Sequence, residues 1–162
     1  MSGLFPDKSL AKTPMGRSKI IQSIVIRSTA DVVFDFTQDY DQRLSWDTFL
    51  KRAELIGTTE ADVGVKAWCV SKHGLGMETE YVSFNRPKVT AVRQSKPSTL
   101  FKDFSGSWKY ENINHDEVQV TFTYSYLLRG FFDWFSWIIH RILLQNVKQR
   151  LKDLKSVVEG FS

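Results

Sequence analysis

The side chains that could do chemistry in this 162-residue chain are three histidines, one cysteine and a set of tyrosines and arginines. His73 stands in Lys72-His73-Gly74 and His115 in Asn114-His115-Asp116, both turn-forming contexts that make them solvated loop residues. No two histidines have metal-ligand spacing, and Cys69 has no ligating neighbour. No glycine-rich loop leads into a helix to cradle a phosphate, and there is no nucleophile elbow. No metal or cofactor is expected, and no residue is assigned as catalytic.

His140 is the exception to this plain picture. At 100° per residue, Leu143, Val147, Leu151, Leu154 and Val158 form one stripe of a helix. Extended backward by two turns, the stripe meets Ser136 and His140. A polar group on a core-facing line must find a partner or destabilise the fold. Three readings stay open: an interior histidine bonded to a strand tyrosine or to water, a pair of polar handles for a mostly apolar ligand, or a catalytic histidine. Arg93 is open too. It is either a solvated strand residue or, pointing inward, a partner for a ligand carboxylate or phosphate.

The elements that hold these residues follow from pattern. Residues 1–19 carry Pro6, Pro14, Gly3 and Gly16 with scattered charges and no period, and are expected to be a flexible tail. Residues 20–160 are expected to be one domain. Ile20 to Arg27 is β-branched and reads as a strand. Ser28-Thr29-Ala30-Asp31 offers caps for a short helix from Ala30 to Gln38, with Val33, Phe36 and Tyr40 at helical spacing. Asp39 to Gln42 turns the chain, and a second short helical piece ends near Trp46-Asp47. Six strands follow: Arg52 to Ile56, Val65 to Lys72, Met77 to Phe84, Val89 to Ser95, Phe101 to Glu111 and Val118 to Leu128. In the last, Val118, Val120, Phe122, Tyr124, Tyr126 and Leu128 share one face and polar residues the other, so one face packs. In the strand before it Phe104, Gly106, Trp108 and Tyr110 align, and Gly106 suggests a bend or bulge. The facing of 89–95 is undecided. Phe131 to Val158 has no Pro or Gly and reads as one long helix, the partner of the sheet.

That helix has a second apolar stripe, Phe131, Phe135, Ile138 and Ile142, which one sheet cannot also bury. The candidate covers are the two short helices, a second protomer, or a membrane surface met reversibly with Arg141 and Lys148 nearby.

Composition bounds the function classes. Hydrophobic content of 42% and charged content of 25% suit one globular domain. A net charge of +4 with pI near 9.2 is too diffuse to argue for nucleic acid. The apolar run 131–144 is shorter than the roughly 20 residues of a membrane span and carries Asp133, His140 and Arg141. A single cysteine and an N-terminus without an apolar signal core point to the cytoplasm.

The order strand, two short helices, six strands, long helix resembles the polyketide cyclase/dehydrase and lipid-transport family. That family lies within the superfamily of START-related domains and the birch-pollen allergen. Four stretches carry the resemblance: Ile24-Val25-Ile26 with Thr29 to Phe36, Leu44-Ser45-Trp46-Asp47, Val118 to Tyr124, and Leu151 to Lys155. The resemblance implies a helix-grip α+β fold, a curved antiparallel sheet of about seven strands wrapped around the C-terminal helix. It also implies a hydrophobic cavity between them. Phe104, Trp108, Tyr110, Phe122, Tyr124 and Tyr126, ordinary sheet core in one reading, would then line that cavity, with tyrosine hydroxyls orienting a ligand. Tyr81, Arg93, Phe135, Ser136, Ile139, His140 and Leu143 complete the candidate ligand-binding set. The expected function is binding or carriage of a lipid, isoprenoid or polyketide-like molecule, by a monomer or homodimer. The alternatives are a polyketide cyclase or aromatase in the same cavity, for which only His140, Tyr124, Tyr126 and Arg93 could serve, and a protein-interaction module using the aromatic stripe.

Overall fold

Seven strands form a single antiparallel sheet: β1 Ser18–Ile26, β2 Leu50–Ile56, β3 Lys66–Ser71, β4 Gly76–Asn85, β5 Val89–Gln94, β6 Phe101–Asn112 and β7 Val118–Leu128. The structure is a computed structural model and describes residues 17–161. Strand order is β1-β7-β6-β5-β4-β3-β2, so β2 to β7 are a meander and β1 returns to pair with the last strand. The expected tail gives way to β1 at Ser18, and Arg17 already bonds the Asp103 carboxylate and the Ser125 hydroxyl. Residues 1–16 of that tail lie outside the described residues.

Two short helices bridge β1 to β2. α1, Ala30–Gln38, is capped by Thr29, whose hydroxyl accepts from the Val32 amide at 3.4 Å. α2, Tyr40–Trp46, begins after Asp39, whose carboxylate accepts from the Asp41 amide at 3.0 Å. The expected four-residue turn is therefore Asp39 alone, a capping residue for a helix that already includes Tyr40 to Gln42.

The last strand alternates as its sequence requires. Val118, Val120, Phe122, Tyr124, Tyr126 and Leu128 are buried, and the residues between them are half-buried. Gly106 does not mark a bulge: it pairs in register with Tyr124, and the register shift of β6 lies between Phe101 and Asp103. On β5, Thr90 pairs with Trp108 and Val92 with Gly106, which turns Thr90 and Val92 to the concave face and Arg93 outward.

The C-terminal helix is shorter than its pattern predicts. α3 runs Ser136–Glu159, and a 3-10 turn, Gly130–Phe135, precedes it. The tighter turn brings Phe132 against the core and leaves Phe131 and Trp134 outside. Leu143, Val147, Leu151, Leu154 and Val158 are buried as one stripe over β1 and β7. Among the described residues nothing covers the second stripe: Phe131 is 80% exposed, and Phe135, Ile138 and Ile142 are also exposed, while Trp134 and Trp137, outside that stripe, are 87% and 67% exposed. The short helices do not reach it. α2 ends at Asp47, which meets α3 at Arg150, about 20 Å along the helix axis from Trp137 at 1.5 Å per residue. No described helix is long and apolar enough to cross a membrane.

Candidate ligand-binding cavity

A partly open cavity of about 140 Å³ lies between the concave face of the sheet, α2 and α3. The pleat puts every second residue of each strand on this face. β6 and β7 contribute Phe104, Trp108, Phe122 and Tyr124, β4 contributes Tyr81, and α3 contributes Leu143. These six were candidates from sequence. Their rings hold one another in place: Trp108 and Phe122 are 4.2 Å apart, Phe104 and Tyr124 4.9 Å. Gly106 sits between them, and a Cβ there would lie 3.4 Å from the Tyr124 ring, so the missing side chain is part of the cavity's space. Thr90 and Val92 of β5, Met77 and Thr79 of β4, and Cys69 of β3 complete the wall. Phe49 and Leu50 at the start of β2 and Leu75 in the β3–β4 hairpin line it further.

Other sequence candidates stand elsewhere. Tyr110 is buried on the same face but is engaged by α1: its hydroxyl lies 2.5 Å from Thr37 Oγ1 and accepts from Gln38 Nε2 at 3.0 Å. Tyr126 is buried, and its hydroxyl lies 2.9 Å from His140 Nδ1. His140 is half-buried, and the contact is the strand tyrosine that the first of its three readings expects. It does not line the cavity, and neither do Ser136, Ile139 or Phe135. Arg93 is on the outer face, 3.7 Å from the Asp103 carboxylate. A strand residue one position from Val92 must face the other way, so Arg93 cannot reach a ligand on the concave face.

The charged floor of the cavity was not anticipated. Arg43 of α2 and Arg150 of α3 both line it, and Asp47 joins them. Asp47 Oδ2 accepts from Arg43 Nε at 2.9 Å and from Arg150 Nη2 at 2.7 Å. Arg150 Nη1 also donates to the Tyr124 hydroxyl, and its guanidinium lies 5.0 Å from the Phe122 ring centre and 5.2 Å from that of Phe49. Burial alone would raise the Asp47 pKa, but Arg150 and Arg43 outweigh it and hold the carboxyl below its ordinary range. A signal for Arg150 was present: it follows Leu143 by seven residues, about 20° away on the helical wheel, within the buried stripe.

A second polar chain runs along the wall. Tyr40 and Tyr81 hydroxyls are 3.1 Å apart, and Tyr81 donates to Gln38 Oε1 at 2.7 Å. Burial pushes the hydroxyl pKa of Tyr81, Tyr110 and Tyr124 up, so all three are neutral donors near pH 7. The cavity can therefore bury an apolar body and offer hydroxyl and guanidinium donors to it. Among the described residues that line it there is no carboxylate or imidazole.

The model of the family described as polyketide cyclase / dehydrase and lipid transport matches residues 17–159. No curated protein matches the chain. Among solved structures, the Zhui aromatase/cyclase of Streptomyces sp. R1128 superposes with TM-score 0.76 at 14% identity, covering 88% of this chain and 94% of that one. Ginseng major latex-like protein 151 of Panax ginseng gives 0.67 at 15% identity, with 86% and 96% covered. A START superfamily protein of Mycobacterium smegmatis gives 0.64 at 8%, with 88% and 94% covered. At these identities the likeness is one of fold, the helix-grip arrangement.

Proposed function

The chain belongs to the polyketide cyclase / dehydrase and lipid transport family, and from that premise we propose that it binds or carries a hydrophobic small molecule in the cavity between the sheet and α3. The lining supports this reading. Aromatic and aliphatic side chains from β2 to β7 surround the space, and a few hydroxyls converge on it. The volume resembles that of an engineered apolar cavity, about 150 Å³, that accepts benzene. It favours a compact, ring-containing body, polyketide-like or isoprenoid-like, over an extended acyl chain.

A cyclase reading draws on the fold shared with an aromatase/cyclase and on the Tyr124 hydroxyl within the cavity. It lacks a base. Asp47 is held ionised by two arginines, and His140 and Arg93 stand off the cavity. Carriage is the reading with fewer unmet requirements.

The test is native mass spectrometry of purified protein together with titration by the neutral fluorophore N-phenyl-1-naphthylamine. A bound small-molecule mass, or saturable probe emission, is expected. Neither appearing would overturn the reading.

A further inference from the structure

The charge in the cavity does not balance. Arg43 and Arg150 line it, and among the described residues Asp47 is the one carboxylate bonded to either. A single oxygen of Asp47 receives both arginines, while the other accepts from the Phe49 amide at 3.3 Å. Among the described residues no aspartate or glutamate lines the cavity. Arg150 is 3% exposed, and its buried Nε has no hydrogen-bond partner. The guanidiniums lie against aromatic faces, Arg43 over Trp46 at 5.1 Å and Arg150 over Phe122 at 5.0 Å, which offsets part of the lost hydration. One positive charge is left without a counter-charge in an apolar chamber, and one buried donor without an acceptor.

We propose that the ligand is a compact hydrophobic molecule bearing one oxyanion, carboxylate-like in charge, seated against Arg43 and Arg150. This rests on the cavity being a ligand site. An incoming oxyanion would balance the charge and accept from the guanidiniums, and its ring body would lie among Trp108, Phe122 and Phe104.

Calorimetric titration of 2-naphthoate against 2-naphthalenemethanol near pH 7 separates the two ideas, because the probes share a body and differ in charge. The carboxylate should bind tighter by about ten-fold or more, the scale of one charge-assisted hydrogen bond. Arg43→Gln should bring the ratio of carboxylate to neutral-probe affinity toward one. If that variant does not fold, the preference in the unaltered protein still decides. Equal binding, or weaker binding of the carboxylate, would overturn the oxyanion while leaving the hydrophobic cavity standing. Failure of both probes would overturn both.

A separate observation lies on the outer face of α3. Phe131, Trp134 and Trp137 stand uncovered at its N-terminal end. Along the same face follow Arg141, Lys148 and Lys152, all exposed, and among the described residues none has a carboxylate within ion-pair distance. Tryptophan beside unpaired cations suits the headgroup layer of a bilayer. It suits a second copy of the chain poorly, since the cores of protein interfaces are depleted in lysine. We infer that this face docks on an anionic lipid surface. Co-sedimentation with phosphatidylcholine vesicles, with and without phosphatidylserine, tests it. Binding should require phosphatidylserine, weaken with salt, and be lost in Trp134→Ala/Trp137→Ala, which removes two mostly exposed side chains. Absence of binding at low salt would overturn the inference, as would a protein dimer abolished by the same double variant without vesicle binding.

Discussion

Asp47 Oδ2 lies 2.7 Å from Arg150 Nη2, a contact between residues 103 apart that ties the end of α2 to the middle of α3 inside the core. Asp47 is fully buried, and Arg43 Nε reaches the same oxygen from one helical turn earlier. The chain that follows α2 starts β2, so this one carboxylate sets the position of the sheet's far edge relative to the helix. The cavity lies in the space that the contact holds open.

Asp47→Ala should therefore be among the most damaging single changes. It leaves two buried guanidiniums without a counter-charge, and removing one partner of a buried pair costs about 3–5 kcal/mol. For a chain of this size that corresponds to a fall in melting temperature on the order of 10 °C. Urea denaturation monitored by tryptophan fluorescence measures it. A loss below about 1 kcal/mol would mean that the guanidiniums find water or other partners.

The same carboxyl predicts an acid transition. Its folded-state pKa is held below the ordinary value of 3.8 by Arg150 and Arg43. A depressed pKa contributes stability that is fully present above the unfolded value. That contribution is lost as pH falls through the folded one. Stability should thus be flat in this term from neutral pH to about pH 4 and drop below it. Denaturation midpoints measured across that range should show the drop. In Asp47→Asn the slope below pH 4 should be shallower, since the group that takes up the proton is gone.

The residues that sequence made legible are those whose burial follows a local period. Val118 to Leu128 alternates strictly, and Thr29 before Ala30 is a plain cap, so β7 and α1 could be bounded from local signals. Arg150 was obscured because charge on a helix reads as solvent, although its wheel position beside Leu143 and Leu154 places it in the core. Asp47, about a hundred residues away, makes that burial tolerable together with the Tyr124 hydroxyl, and long-range pairing has no local signature. Arg93 was undecidable for a related reason, since β5 carries apolar residues on both faces and its register against β6 sets the facing. The exposed stripe shows a limit of periodicity. Phe131 to Trp137 looks like half a buried helix, yet a 3-10 turn and the distance to α2 leave it in solvent.

Gly106→Leu should fill the cavity without removing any contact. A Cβ at this position meets the Tyr124 ring at 3.4 Å and the Thr123 carbonyl oxygen at 3.8 Å, both ordinary contacts, and β structure prefers almost any residue to glycine. The added isobutyl group would occupy space between Trp108 and Tyr124. Probe binding should fall at least about ten-fold while the melting temperature holds within a few degrees. Unchanged binding would place the ligand site away from this cavity.

His140→Ala separates structure from ligand contact at the end of α3. The imidazole Nδ1 and the Tyr126 hydroxyl are 2.9 Å apart, and neither residue lines the cavity. Removing the ring costs at least the net value of this hydrogen bond, about 0.5–1.5 kcal/mol, while the Tyr126 hydroxyl keeps its bond to Ser18. Tyr126→Phe deletes the same bond from the strand side. If the bond is structural, the double variant loses less stability than the two single losses added together, and affinity for N-phenyl-1-naphthylamine stays unchanged in all three. A loss of affinity in His140→Ala that Tyr126→Phe does not share would make the histidine a ligand contact in its own right, and would extend the cavity toward Ser136.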